Sequence, residues 1–363
     1  MKVLDTIVKW FVGLLFIFSG LVKLNDPMGT AIKMEEYFEV FAGDISSLFH
    51  YLVPFALEIG LFVVILEVLL GVAVLIYYRM KLTSWILLLL IVFFTFLTFY
   101  SAAFNKVTDC GCFGDAIPLT PWQSFFKDIL LLILTIFIFV RRKSYVSSFS
   151  INTGNIVLVI VLVLNGFLAY YAIEHLPPID FRPYKIGADI KASMQPSAPF
   201  EYEYVMERDG ETFEFNSYPS DTSYHFVEMV LLNPEAQPKI TDYNVWNDDG
   251  DFTEETFTGA KLLILINDVK TSRYDKLKQI ISLVNEVNGE VNSIVVTSSD
   301  ESSYENFRHE YQVALPYYFA DGTVIKAMIR ANPGLILMKD GVVLGKWHNN
   351  DIPTKEEVIK LIK

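Results

Sequence analysis

Cysteine is almost absent. The 363-residue chain holds two, Cys110 and Cys112, one glycine apart in DCGCFGD at 109–115. The C-terminal half has none, so it cannot carry out thiol chemistry by itself. Histidine is nearly as scarce: residues 50, 175, 225, 309 and 348 are dispersed without ligand spacing, which argues against a zinc site. No phosphate loop, nucleophile elbow or dinucleotide fingerprint is present. Positive charge is short, with 29 Lys and Arg against 42 Asp and Glu, a net charge of -13 and no basic patch. Nucleic acid and anionic lipid are therefore repelled as partners. No half of the sequence repeats the other, which counts against a transporter.

What is abundant is apolar sequence: 52% of the chain is hydrophobic, although 20% is charged. A uniform globular domain combines these poorly, and the sequence indeed changes regime near EHLPPIDFRPYKIG at 174–187. Before it, five stretches are long enough to cross a bilayer, at about 7–23, 52–77, 83–103, 121–140 and 155–173. The first reads as a retained span, because only Lys2 precedes Asp5 and no small-x-small site follows LLFIFSG. Short-loop cations set the orientation. Lys2, Lys9, Arg79, Lys81, Arg141, Arg142 and Lys143 fall on one side, against Lys23, Lys33 and Lys106 on the other. The expected topology is an inner-membrane protein with a cytoplasmic N-terminus. The cysteine loop and everything after residue 173 then face the periplasm, an oxidising compartment. Between the first two spans, Ile32, Tyr37, Phe38, Val40 and Phe41 suggest a helix lying at the lipid interface.

The second regime reads as α/β. FEYEYVM (200–206) and TFEFNSY (212–218), joined by ERDGE, predict a hairpin within a small β-rich module over 188–236. From 237 the expected order is a strand in KITDYNVW, a turn, the buried strand KLLILI at 261–266 and a helix over 274–289. A strand at 293–297, helices at 301–311 and 322–330, then Pro333, a hairpin and a final helix from Thr354 follow. This order resembles the thioredoxin-like fold, with Pro333 where that family keeps a cis-proline. The family's redox Cys-x-x-Cys belongs after the first central strand, where this chain has NDVKTSRY at 267–274. The resemblance thus implies a degenerate domain that binds, or that acts beside the cysteines of the membrane half.

Cys110 and Cys112 are the catalytic candidates. A bridge across one residue closes a small ring that is readily reduced, and it constrains too little chain to matter for stability. A redox role competes with a structural or inert one and with soft-metal binding, the last weakened by a loop without histidine. Ionisable residues within spans are costly unless paired or functional. At 1.5 Å per residue Glu58 lies about 9 Å inside the second span, with Lys127 and Asp128 at a similar depth in the fourth. An intramembrane polar cluster of Glu58 with Lys127, joined by Asp128, is expected, as packing glue or proton relay. Glu67 shows no obvious cationic partner, and Lys23 reads as a snorkelling residue. Trp122 and Gln123 open the fourth span beside the loop, where an aromatic belt is expected and a quinone could make contact.

LFIFSGLVKLNDPMG at 15–29, two further spans, DCGCFGD and TPWQSFFKDILLL together resemble the DoxX-like family, in its branch related to the methylamine-utilisation membrane protein, over about 5–143. The resemblance implies a four-helix bundle and a part in disulfide handling or in the maturation of partner proteins outside the cytoplasm. It passes the redox role to Cys110 and Cys112 and leaves the client open. Fusion to a cysteine-free thioredoxin-like domain resembles an arrangement in Bacteroidetes membrane proteins. The expected architecture is a DoxX/MauE-like bundle (1–143), a fifth transmembrane helix and connector (144–187), the β-rich module (188–236) and the thioredoxin-like domain (237–363). Two functions fit it: a thiol-disulfide protein whose soluble domain recruits a periplasmic client, or a non-enzymatic membrane scaffold with structural cysteines.

Overall fold

The computed structural model describes residues 2–107, 111, 113–147 and 149–363, Lys2 by its backbone alone. Two compact units divide the chain at Phe181 and Arg182.

In the first unit α1 (Lys2–Asn25), α2 (Pro27–Asp44), a 3-10 segment (Ser47–Phe55), α3 (Ala56–Leu75), α4 (Met80–Phe104), α5 (Pro121–Arg141) and α6 (Ile151–Glu174) follow in order. Five candidate membrane spans result: Val3–Asn25, Ser47–Leu75, Met80–Phe104, Pro121–Arg141 and Ile151–Glu174. The chain is a multi-pass membrane protein. Side-chain caps open α2, α5 and α6. Asp26 caps α2 ahead of Pro27, while Thr120 and Gln123 form a capping box around Pro121 at the start of α5.

Small residues let α1 and α3 approach closely, as apolar helices must when lipid offers no hydrophobic drive. A Cβ added at Gly71 would lie 2.7 Å from the Gly13 carbonyl oxygen and 2.8 Å from Ile17 Cγ1, so the contact needs glycine. α4 and α5 pair through aromatic edges such as Trp85 on Phe139, with centroids 4.5 Å apart. α2 forms between the first two spans, as expected, and makes contacts that its sequence does not show. Tyr37, Phe38 and Phe41 are buried, and Tyr37 and Phe41 pack with Leu97, Tyr100 and Val107. Part of its apolar face thus meets the bundle.

The second unit contains two sheets. β1 (Tyr202–Arg208), β2 (Glu211–Phe215) and β3 (His225–Leu231) form one, ordered β2-β1-β3. Asp209 and Gly210 join β1 to β2 with φ of 54° and 81°, the left-handed pair that a tight hairpin requires. The other sheet has the order β10-β9-β6-β7-β8-β4-β5. Its strands are β4 (Trp246–Asn247), β5 (Gly250–Asp251), β6 (Ala260–Ile266), β7 (Asn292–Thr297), β8 (Tyr317–Phe319), β9 (Gly334–Lys339) and β10 (Val342–His348). β6, β7 and β8 run parallel, β9 pairs antiparallel with β6, and β10 pairs antiparallel with β9. β6 is buried along Leu262 to Ile266, hence its unbroken apolar run. Alongside lie the short helices α7 (Ile190–Ser193) and α8 (Thr253–Thr256), then α9 (Leu277–Val287), α10 (Glu301–Tyr311), α11 (Gly322–Met328) and α12 (Lys355–Ile362). Leu277, Ile280, Leu283, Val284 and Val287 form the helical stripe that buries α9.

Most of the strand expected in KITDYNVW does not form; only its last residue, Trp246, enters β4. Upstream, backbone and side chains bond elsewhere. The Val245 N–H donates to Thr253 Oγ1 at 2.9 Å, and the Tyr243 hydroxyl donates to Thr256 Oγ1 at 3.0 Å.

Candidate functional site in the loop between α4 and α5

The loop at 105–120 joins α4 to α5 and carries DCGCFGD. Cys110 and Cys112 lie outside the described residues, whereas Gly111 between them and the residues from Phe113 onward lie within. Phe113 is buried, its ring 5.6 Å from that of Phe18 on α1. The Lys127 ammonium on α5 stands 5.2 Å from the same ring centroid. Gly111 has φ of 59°, and a Cβ there would sit 3.5 Å from Lys33 Cγ on α2. The loop is therefore packed against α1, α2 and α5 at residues adjoining both cysteines.

At its start Val107 is fully buried in the Tyr37, Phe41, Leu97 and Tyr100 cluster. Lys106 lies 3.4 Å from Asp44, which closes α2. Tyr100 donates to Asp44 Oδ2 at 2.6 Å. That hydrogen bond, with the Lys106 charge beside it, holds the Asp44 carboxyl below the usual carboxylate range.

Two ion pairs sit within the bundle beneath this loop. Lys127 Nζ lies 2.6 Å from Asp128 Oδ1, and Asp128, 1% exposed, also accepts from the Thr98 hydroxyl at 3.0 Å. Lys23 Nζ lies 2.8 Å from Glu67 Oε2, the side chains 12% and 4% exposed, and 4.9 Å from the Phe94 ring centroid. The structure thus joins Lys127 to Asp128 but not to Glu58. Glu58 is exposed in the first turn of α3 and makes no ion pair among the described residues. Residues 47–55 form a separate 3-10 segment, so Glu58 falls in the first turn of α3, within the candidate span Ser47–Leu75. An acid in a first helical turn has a favourable site in the helix dipole alone.

Lys23 and Glu67 correct a second reading, in which Glu67 lacked a cation and Lys23 served the interface. α1 and α3 run antiparallel on glycine contacts, and this proximity lets a lysine near the end of α1 reach the middle of α3. Sequence spacing of 44 residues carries no signal for it. Gln123 is occupied by its cap, its Oε1 accepting from Thr120 N–H at 3.0 Å. Trp122 is half-exposed beside Phe125 and Phe126.

In the second unit the Asn332–Pro333 peptide bond is cis. Asn332 ties down the cysteine-free segment after β6. Its Oδ1 accepts from Asn267 N–H at 3.1 Å, its Nδ2 donates to the Asp268 carbonyl at 2.8 Å, and its carbonyl accepts from Arg273 N–H at 2.9 Å.

Residues 1–141 match the family model of the methylamine utilisation protein MauE. Residues 200–231, which comprise the three-stranded sheet, match a domain of unknown function, DUF8463. No curated protein matches the chain. The membrane-spanning part of the protein is thus similar to the MauE family.

Proposed function

We propose that this protein is a membrane thiol-disulfide or protein-maturation factor whose Cys110–Cys112 pair exchanges electrons with a client outside the cytoplasm. The observation that carries this reading is the docking of Phe113 between Phe18 and Lys127, which fixes the residue next to Cys112 to the bundle. Lys33, its Cγ beside Gly111, and Lys127, over the Phe113 ring, place two lysines near the residues flanking Cys112, each paired with a carboxylate, Glu36 and Asp128, while Asp109 and Asp115 border the motif. A client thiolate attacks one sulfur of the bridge, forming a mixed disulfide and releasing the other sulfur as thiolate. A second client thiolate then resolves it. The client loses two electrons and two protons, the pair gains them, and a two-electron acceptor of the quinone class restores the bridge.

The cations support the orientation: Lys9, Arg79, Lys81, Arg141, Arg142 and Lys143 belong to the bundle end opposite the cysteine loop, in favour of a cytoplasmic N-terminus and an outward loop. Strand order and the position of Pro333 just ahead of β9 support a degenerate thioredoxin-like reading of the second unit, with recruitment of a client as its task. The MauE match supports an accessory role, as its description, methylamine utilisation, names a process and no reaction.

Alkylation of intact cells with an impermeant thiol reagent, followed by mass measurement, tests this. Two adducts should appear after mild reduction and none before it. Labelling that requires permeabilised cells, or that is complete without reductant, would overturn the reading. Cys110→Ser or Cys112→Ser should trap a mixed disulfide or abolish it; an unaffected cellular phenotype in both favours the scaffold.

A further inference from the structure

The sheet of β1, β2 and β3 leaves one edge of β3 unpaired among the described residues. Register sorts its side chains onto two unlike faces. On one, Tyr202, Tyr204 and Met206 of β1 stand beside Leu231, Met229 and Phe226 of β3, and beside Phe213 and Phe215 of β2. The segment at 216–224 covers part of this face, with the Tyr218 ring 5.7 Å from Tyr204 and the Tyr224 ring 5.0 Å from Phe215. The cover stops short of the edge, where Phe226 and Met229 remain 53% and 49% exposed.

The other face is acidic. Val205 stands between Glu228 of β3 and Glu214 of β2, with Glu203 and Glu207 before and after it along β1. None of these four glutamates has an ion pair among the described residues. From Phe200 to Leu231 the chain has eight acidic residues and one arginine, and that Arg208 lies over the Tyr224 ring at 4.8 Å, on the apolar side. Like charges on neighbouring strands repel. A cation laid across them relieves that repulsion.

The edge itself can accept a strand. Leu232 N–H donates to the Glu201 carbonyl at 2.8 Å, so by the alternation of an antiparallel pair Val230 and Glu228 turn their backbone toward β1. Met229 and Leu231 then present N–H and C=O groups to the open side, a template for strand addition.

We propose that the open edge of β3 receives an extended segment of a partner protein in which basic and apolar side chains alternate. The basic side chains lie with Glu228 and its neighbouring glutamates, and the apolar ones cover Phe226 and Met229. Charge argues against a second copy of this chain as occupant: two β3 strands paired about their middle residue bring Glu228 opposite Glu228. The same charge repels anionic lipid and nucleic acid. No cysteine takes part, so this surface stands independently of the thiol chemistry.

The test uses the full chain in detergent micelles and a short fluorescent peptide alternating Lys and Val. Its controls are the same residues in two blocks and the alternating peptide with every second backbone nitrogen methylated. The alternating peptide should bind, both controls should bind at least about tenfold more weakly, and Glu228→Lys should weaken binding similarly. Added salt should weaken it too. Equal binding of the three peptides, indifference to Glu228→Lys, or wild-type self-association through this edge would overturn the proposal. Peptide binding is read without any thiol, so it can fail while the cysteine reading survives, and the reverse.

Discussion

Lys23 and Glu67 show how little a residue's character depends on its own sequence neighbourhood. Each is an isolated charge in an apolar helix, and only their pairing at 2.8 Å makes either tolerable there. Removal of one partner leaves the other buried and uncompensated, a change that costs about 3–5 kcal/mol in protein interiors. Lys23→Met should therefore lower the unfolding midpoint in micelles markedly, whereas Lys23→Met with Glu67→Leu should recover most of the loss. If the double variant is as unstable as the single, burial of an unpaired carboxylate is not the cause. Asp128 differs, because it has both Lys127 and the Thr98 hydroxyl as partners.

At the scale of elements, the α1–α3 contact is the most constrained part of the bundle. A side chain at Gly71 meets the Gly13 backbone, which cannot swing aside as a side-chain tip does. Gly71→Leu should separate the two helices, with the roughly 1–3 kcal/mol typical of overpacking as a lower bound. It should also weaken the Lys23–Glu67 pair that depends on their approach. Gly43, near the end of α2, has nothing within 4 Å of an added Cβ, so Gly43→Ala is the matched control. It should be neutral or stabilising by about 0.5–1 kcal/mol, since alanine gives up less entropy in a helix. Comparable losses from the two changes, measured by thermal unfolding, would refute the packing argument.

At the scale of the whole molecule, hydrogen-bonded carboxyls make the second unit sensitive to acid. In the unit from Arg182 to Lys363, Asp300 accepts from Ser303, Asp321 from Thr323 and Asp251 from Thr253. Glu305 bonds with Tyr317 and Arg308. These interactions hold all four carboxyls below their ordinary values. A carboxyl depressed on folding contributes stability that is complete above its unfolded value, about 4, and lost as pH falls through the lower folded value. Hydrogen exchange in α10 and α11 should therefore quicken below pH ~4, and Asp300→Asn should flatten that dependence in α10. An acid response equal in wild type and variant would show that the cap is not its source.

Much of the architecture was legible in the sequence, because length and apolarity fix a membrane span and a pattern of period two or 3.6 fixes a strand or helix. Hence the five spans, the Asp-Gly hairpin, the buried strand KLLILI and the stripe of α9 follow from local composition. The polar groups within the bundle did not follow. Glu58 and Glu67 have similar apolar surroundings in sequence, yet one lies exposed at a helix start and the other is paired across 44 residues with Lys23. Likewise, KITDYNVW alternates well enough for a strand, but its Lys239 and Ile240 N–H groups go to the Ser193 carbonyl and its Val245 N–H to the Thr253 side chain of α8. The sequence by itself determined which segments enter the bilayer and which form a sheet, since those depend on transfer free energy and side-chain period. Only the tertiary structure decided which charge meets which and what the cysteine loop leans on, because helix packing brings together atoms that the chain keeps far apart.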